Sequence, residues 1–260
     1  PRLIEKDYFC TVLLQYLATT GVLVFKGGTC LAKVHAEFYR LSEDLDFVIP
    51  MPCDAARTER RRQTERLKKT VADVATKLEG FAVVEPLTGA NISTQYVSVV
   101  GYDSLLSGQQ EGIKIEIGLR EPLLTPVFDG AARTALLDPV SGQPMVHPLA
   151  LPCISRVEAF AEKFRAALSR REVAIRDFYD IDYAVRRLGL QPQDPALIQL
   201  VRQKLAVPGN EPADVSEARL AILRRQLDSR LKPVLRDADF TEFDLDRAFR
   251  IIAQMAEKIR

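Results

Sequence analysis

The chain has 260 residues, 47% of them hydrophobic, and a formal net charge of +1. This length is enough to bury a sizeable core in one large domain or two small ones. The near-neutral charge gives no reason to expect a surface that is basic throughout and attracts nucleic acid at every point. The sequence contains neither an apolar run long enough to span a membrane nor a recognisable signal peptide. We therefore expect a cytoplasmic location and no membrane partner. Whether a segment precedes Pro1 in the full protein stays open.

Helix and strand patterns alternate along the first 150 residues. Apolar residues at helical spacing predict a first helix over 3–20, and a short apolar run at 22–25 predicts a strand. A glycine pair and a second helix follow. Further segments are predicted as a strand at 42–49, a helix at 54–78, and strands at 81–85, 93–102 and 112–119. Residues 122–152 are rich in Pro and Gly, which predicts loops with one short strand near Met145.

The second part of the chain has helical patterns only. They cover 155–189, 195–205, 215–231 and 244–259. We therefore expect an α/β protein of the α+β type, with a small mixed sheet in domain 1–150 and a helical domain over 151–260.

Two glycines separate the strand at 22–25 from the second helix. Glycine adopts positive φ and lets the backbone approach a ligand closely, which fits Gly27 and Gly28. Thr29 lies where the helix would begin, and the unpaired N–H groups of a helix N-terminus suit phosphate. No Gly-Lys-Ser/Thr ends the loop, so it is not a Walker A motif. Considered alone, the glycines fit an ordinary strand-to-helix turn better than a phosphate site.

Two aspartates stand in the strand predicted at 42–49. Strand alternation places Asp44 and Asp46 on one face, and Leu45, Phe47 and Ile49 on the core face. Neighbouring carboxylates repel each other unless cations lie between them, and Mg²⁺ prefers carboxylate and phosphate oxygens. The alternative is a solvated strand edge, although acidic residues are depleted in strands.

A third carboxylate lies on the strand predicted at 112–119. The isoleucines of this segment point to the core, whereas Lys114, Glu116 and Gly118 share the other face. If this strand pairs near the strand of Asp44, Glu116 would complete a three-carboxylate site. The alternative, that Lys114 and Glu116 simply face solvent, fits the alternation equally well.

These motifs together resemble a known family. The segments V-F-K-G-G-T-C-L-A-K-V and Y-R-L-S-E-D-L-D-F are similar to the signature of the AbiEii/AbiGii toxin family, a branch of the polymerase-beta-like nucleotidyltransferase superfamily. Weaker similarity at 5–9, 162–168 and 176–181 extends the resemblance over about residues 3–185. Two departures stand out: Thr29 replaces the usual Ser and keeps its hydroxyl, and Glu116 replaces the more common Asp and reaches further.

The resemblance implies metal-dependent transfer of a nucleoside monophosphate from an NTP to an acceptor hydroxyl, with release of pyrophosphate. Glu116 would also accept the proton of the attacking hydroxyl. The resemblance implies Asp44, Asp46 and Glu116 as ligands for Mg²⁺ or Mn²⁺. The implied catalytic residues are these three together with Lys163 and Asp177. The implied nucleotide-binding residues are Lys26, Gly27, Gly28, Thr29, Ser42 and Lys163.

The family pattern places both Lys163 and Asp177 in the site, which constrains the helix predicted at 155–189. In one straight helix, fourteen residues span about 21 Å, too far for both side chains to reach one triphosphate. We therefore predict a break near 169–173, with Lys163 contacting phosphate and Asp177 orienting Lys163 or the nucleotide. Asp180 shares the helical face of Asp177. The alternative is an ion pair for Asp177 with Arg176 or Lys163, and a solvated surface position for Asp180.

The resemblance also implies a toxin with a cognate antitoxin. Because related toxins modify the 3′ end of tRNA, tRNA is the leading acceptor, with a protein or small molecule as the alternative. A non-catalytic nucleotide-binding module is a further alternative. The segment 57–77 contains eight Lys and Arg residues against three acidic ones, which fits either a solvated helix face or a track for an RNA backbone.

Overall fold

In the computed structural model, which describes residues 1–260, the chain divides into an α/β unit, Pro1–Ser155, and a helical unit, Arg156–Arg260. The first unit contains a mixed sheet of seven strands, so the predicted fold class is confirmed. None of the helices has the length and apolarity needed to cross a lipid bilayer.

The strands of the sheet lie in the order β3-β4-β5-β2-β1-β7-β6. Neighbours are antiparallel except for two pairs, β2 with β5 and β1 with β7, which are parallel. The strand bounds are β1 Val24–Lys26, β2 Leu45–Val48, β3 Phe81–Ala90, β4 Gln95–Asp103, β5 Gln110–Gly118, β6 Phe128–Ala132 and β7 Leu149–Cys153.

The core of this unit is built on the inner faces of the central strands. The Phe25 and Phe47 rings are 5.6 Å apart, and both side chains are buried. The isoleucines of β5 are buried as well. Alternation along β2 and β5 is thus as predicted, and it leaves Asp46 and Glu116 on the opposite face.

Four α-helices belong to the first unit. Helix α1 is Arg2–Ala18, α2 is Gly27–Cys30 and continues as a π-helical segment over Leu31–His35, α3 is Arg57–Ala72 and α4 is Val74–Lys77. A buried ion pair joins α1 to the segment after α2: the Lys33 ammonium group contacts the Asp7 carboxylate and donates to the Thr11 hydroxyl at 2.7 Å. The other Asp7 oxygen accepts from Thr134 and from the backbone of Ala135. This network fixes the helix that follows the glycine pair.

Three predicted boundaries in this unit are wrong. Asp44 precedes β2, because the ladder with β1 begins only at Asp46 and that with β5 at Leu45. The helix predicted at 54–78 begins at Arg57 and is interrupted at Asp73. The loops predicted at 122–152 contain two strands, β6 and β7, whereas the segment near Met145 forms only an isolated bridge between Leu137 and Pro144.

The second unit consists of helices alone. They are α5 Arg156–Ser169, α6 Ile175–Arg187, α7 Pro195–Ala206, α8 Glu217–Gln226 with a π-helical extension Leu227–Leu231, α9 Asp237–Glu242 and α10 Leu245–Ile259. The predicted break between Lys163 and Asp177 is present between α5 and α6. The Gln226 side chain stabilises it, since its amide donates to the Val173 carbonyl at 2.9 Å and accepts from the Ile175 N–H at 2.8 Å.

Candidate active site

Gly27 and Asp46 are in direct contact at the end of β1. Gly27 has a φ of +76°, a conformation that side-chain-bearing residues rarely adopt. A Cβ added at Gly27 would lie 2.6 Å from Cβ and 2.7 Å from Cγ of Asp46, well inside contact distance. The Asp46 carboxyl group therefore occupies the space that only a glycine leaves open, so Gly27, predicted as a nucleotide-binding residue, also makes room for a carboxylate.

Gly28 is covered by a cation and a hydroxyl. A Cβ at this position would lie 2.6 Å from an Arg40 guanidinium nitrogen and 3.2 Å from the Ser42 hydroxyl oxygen. Arg40 is buried, and it donates a hydrogen bond to the Leu41 carbonyl at 3.1 Å. Ser42 was among the residues predicted to bind nucleotide, whereas Arg40 was not. Arg40 stands two residues before Ser42, within the segment Y-R-L-S-E-D-L-D-F that resembles the family signature.

Thr29 connects the start of α2 to the segment before β2. Its side chain is buried, and its hydroxyl donates a short hydrogen bond to the main-chain carbonyl of Asp44. The hydroxyl therefore positions Asp44, which lies outside the strand ladder. A contact between this hydroxyl and phosphate stays a prediction.

Charged residues of three neighbouring strands lie side by side in the sheet. Lys26 of β1 is the register partner of Asp46 in β2, and Asp46 is the register partner of Glu116 in β5. The strand of Glu116 thus pairs directly with that of Asp46, which was the condition set for a shared site. Two carboxylates and one ammonium group stand on adjacent strands.

Glu116 is hydrogen-bonded through both carboxylate oxygens. Lys114 Nζ lies 2.8 Å from Oε2, and the Gln95 amide donates to Oε1 at 2.6 Å. The Lys114 and Glu116 side chains are 45% and 34% exposed, so they are partly solvated and paired with each other. The Glu116 hydrogen bond, together with Asp44 and Asp46, raises the pKa of Lys114 above its usual value. Its ammonium group is therefore in the field of all three carboxylates.

The donor set fits a hard divalent cation in its chemistry. Asp46 is seated against Gly27, and Glu116 is next to it in register. Carboxylate oxygens on adjacent strands are the ligands that Mg²⁺ and Mn²⁺ take. In this structure no three acidic, His or Cys side chains converge closely enough to hold one ion. Asp46 and Glu116 are neighbours in the sheet, but the Glu116 carboxylate is hydrogen-bonded to Lys114 and Gln95.

Lys163 joins two carboxylates in the helical unit. Its ammonium nitrogen is 2.7 Å from Asp177 Oδ1 and 2.8 Å from Asp180 Oδ2, and Arg170 lies 3.2 Å from the other Asp177 oxygen. The contact between Lys163 and Asp177 is expected if Asp177 orients Lys163 for nucleotide binding, and it is equally expected if the two residues form only a structural ion pair. Asp180 is fully buried, so the solvated position considered for it is wrong.

The protonation of Asp177 follows from this cluster. Burial by itself raises the pKa of the Asp177 carboxyl, but the Lys163 ammonium and the Arg170 guanidinium outweigh burial, and the pKa lies below its usual value. Asp177 is therefore ionised at neutral pH. The predicted roles of Lys163 and Asp177 in nucleotide binding stay predictions.

Helix α3 carries the basic segment and exposes much of it. Arg61, Arg62 and Arg66 are exposed, whereas Arg60 is buried and donates to the Cys53 carbonyl at 3.0 Å. Arg62 is paired with Glu59 at 2.6 Å. The exposed face of α3 is thus less basic than its composition indicates.

Comparisons with known proteins give a family match and similar folds. The family model described as "Nucleotidyl transferase AbiEii toxin, Type IV TA system" matches residues 16–254. A comparison with curated protein sequences gives no match.

Two solved structures share the fold along nearly the whole chain. The nucleotidyltransferase toxin MenT4 of Mycobacterium tuberculosis H37Rv has 18% sequence identity and a TM-score of 0.55, over 100% of this chain and 95% of that chain. JHP933 from Helicobacter pylori has 17% identity and a TM-score of 0.51, over 99% of this chain and 88% of that one. At these identities the likeness supports the fold.

Proposed function

Because the chain belongs to the AbiEii nucleotidyl transferase toxin family of type IV toxin–antitoxin systems, and is thus a nucleotidyltransferase toxin, we propose that it transfers a nucleoside monophosphate from an NTP to the 3′ end of tRNA. The reaction would depend on Mg²⁺ or Mn²⁺ and release pyrophosphate. A cytoplasmic location and a cognate antitoxin are part of this proposal.

The observation that carries the proposal is the pairing of Asp46 with both Gly27 and Glu116. The two strands bring the carboxylates into register, and Gly27 leaves room for the Asp46 carboxyl group beside the start of α2. A glycine-lined backbone next to paired carboxylates suits a triphosphate with its cation. Neither feature would be needed by a solvated strand edge.

Each residue then has a chemical task. Asp44, Asp46 and Glu116 would hold the divalent cation, which when bound supplies positive charge to the attacking and leaving oxygens. The backbone at Gly27 and Gly28, with Lys26 and Ser42, would contact the phosphates, and the Arg40 guanidinium over Gly28 adds a charged donor of the kind that binds phosphate in a bidentate manner. Glu116 would accept the proton of the acceptor hydroxyl.

Two further assignments belong to the same proposal. Thr29 would direct its backbone N–H to phosphate while its hydroxyl holds the backbone at Asp44. Lys163, held by Asp177 and Asp180, would contribute a positive charge to nucleotide binding, with Asp177 as the residue that orients it.

The test is to incubate the protein with each labelled NTP, Mg²⁺ and total tRNA, and to identify the labelled product. We expect label at the tRNA 3′ end with one preferred nucleotide, and about 100-fold or greater loss of rate in Asp46→Asn. The exposed Asp54 offers a matched control, since Asp54→Asn removes a carboxylate of the same unit that is not among the proposed ligands.

Three results would contradict the proposal in different ways. Label on protein or on a small molecule would replace tRNA as the acceptor. Full activity without divalent cation would remove the metal from the mechanism. Activity within tenfold of the parent in both Asp44→Ala and Asp46→Ala would remove these residues from the site.

A further inference from the structure

Both oxygens of the Glu116 carboxylate are bonded to N–H groups of this chain. Lys114 lies two residues earlier on β5, on the same face of the sheet, with its nitrogen 2.8 Å from Oε2. Gln95, the first residue of β4, donates to Oε1 at 2.6 Å. A cation that uses Glu116 therefore binds close to these groups and competes with them for the carboxylate.

The Lys114 ammonium group contacts Glu116, and Glu116 is the register partner of Asp46 on the neighbouring strand β2. Carboxylates on adjacent strands repel one another, and this lysine supplies positive charge next to them. In the protein without substrate, Lys114 neutralises the carboxylate charge that a divalent cation would neutralise when substrate is bound.

We propose that Lys114 is the resident counter-ion of the carboxylate site, and that a divalent cation binds by displacing its ammonium group from Glu116. This inference rests on the function proposed above, because the same carboxylates are involved. A divalent cation bound to the same carboxylate and the Lys114 ammonium group repel each other at this short range. Lys114 therefore lowers the affinity for the metal alone.

A functional consequence is that metal and nucleotide bind together. The phosphates of an NTP bring negative charge that offsets the repulsion between Lys114 and the cation. The displaced ammonium group, on a flexible stem, is then available to the phosphates as a point charge. We expect Mn²⁺ to bind markedly more tightly in the presence of NTP than alone.

The test measures Mn²⁺ binding to the full chain by titration calorimetry without nucleotide. Lys114→Met should bind Mn²⁺ about three- to tenfold more tightly than the parent, because a nearby positive charge is removed. Lys114→Arg keeps the charge and should stay close to the parent. Lys77→Met, at an exposed lysine in the same unit, should have no effect.

The double variant Lys114→Met/Glu116→Gln tests the exchange itself. If Lys114 acts by occupying Glu116, the gain in Mn²⁺ affinity should disappear when Glu116 is neutral. A gain that persists would show a through-space charge effect and overturn the exchange. Unchanged or weaker Mn²⁺ binding in Lys114→Met would overturn the counter-ion role.

Asp46→Asn separates this inference from the proposed function. If Asp46→Asn leaves Mn²⁺ affinity unchanged, both in the parent and with Lys114→Met, the cation binds elsewhere and the proposed function loses its metal site. If Asp46→Asn weakens binding but Lys114→Met does not strengthen it, only the counter-ion role is overturned. Circular dichroism establishes that each variant is folded, and Lys114→Gln replaces Lys114→Met if the latter is not.

Discussion

Arg40 is a buried cation placed directly over the backbone of Gly28. Taking a guanidinium group out of water is costly unless its donors are satisfied, and each such group in a core needs partners. The Arg40 guanidinium donates to the neighbouring Leu41 carbonyl and lies over the Tyr39 ring. An arginine over a glycine backbone at the start of a helix is well placed to bind phosphate.

We expect Arg40→Gln to weaken NTP binding by about 10- to 150-fold, the effect of losing one charge-assisted hydrogen bond. The corresponding nucleoside monophosphate should be bound equally by parent and variant if Arg40 contacts the terminal phosphates. Calorimetry with NTP and NMP measures both affinities. Arg133→Gln, at a partly exposed arginine of the same unit, is the control, and equal loss for NTP and NMP would contradict the assignment to terminal phosphates.

Lys163 is the shared partner of two buried carboxylates. Lys163→Ala should therefore destabilise the helical unit by about 3–5 kcal/mol, since breaking a buried ion pair leaves charge without compensation. Adding Asp180→Asn should restore part of the loss. Chemical denaturation followed by circular dichroism measures both variants.

The role of Lys163 in binding needs a variant that keeps the unit folded. Lys163→Ala/Asp180→Asn should raise KM for NTP and lower kcat, with a total loss of about 10- to 150-fold in kcat/KM. If this folded double variant binds NTP as the parent does, Lys163 serves only the structure of its unit.

At the scale of elements, the local motifs were predictable and the distant pairings were not. Gly27 and Asp46 belong to contiguous patterns, so the sequence places them on a turn and a strand. Strand β7 was missed because Pro152 argues against a strand, and because its partner Phe25 is far away in sequence. Tertiary pairing with β1 and β6 decided its structure.

The contacts of side chains were less predictable than the strands that carry them. Alternation along β5 places Lys114 and Glu116 on one face but leaves their partners undetermined. Gln95 reaches Glu116 only because β4 pairs with β5 in one register. Arg40 lies in the irregular segment before β2, where no periodicity directs a side chain.

Helix α3 is the element that we expect to bind RNA if tRNA is the acceptor. Charge reversal at Arg61, Arg62 and Arg66 should weaken tRNA binding and flatten its salt dependence by about one unit of slope per lost phosphate contact. Among the three single charge reversals, the one at Arg62 should weaken tRNA binding least, since Glu59 already pairs with Arg62. Filter binding at several salt concentrations measures the slope.

A matched control reverses three exposed charges in the helical unit, Arg225, Arg230 and Lys258. The net charge changes equally in both triple variants, so a specific track on α3 predicts a loss only in the first. Equal losses would show that net charge, and not α3, controls the encounter. Unchanged tRNA modification by the α3 variant would leave this helix as a solvated face.

At the scale of the whole molecule, acid should destabilise the fold through its buried carboxylates. Asp177 has a pKa below its unfolded value, so its contribution to stability is complete above the unfolded pKa, about 3.9. That contribution is lost as the pH falls through the folded pKa. The free energy of unfolding should therefore decline below about pH 4 to 5.

Asp177→Asn should show a shallower decline than the parent between neutral and acidic pH. The two should differ most in stability near neutral pH and converge in acid. Urea denaturation at a series of pH values, followed by circular dichroism, measures the difference. A constant difference at all pH values would contradict the ionised, paired state of this carboxylate.

The contact between Gly27 and Asp46 has a genetic consequence. In a randomly mutated library of this toxin expressed without its antitoxin, surviving cells should carry changes that inactivate the protein but need not unfold it. Every missense change at codon 27 adds a side chain where the Asp46 carboxyl group lies. Codon 27 should therefore be over-represented among survivors that still make full-length protein. Gly21 also has a positive φ but open space around it, so codon 21 should be found less often than codon 27.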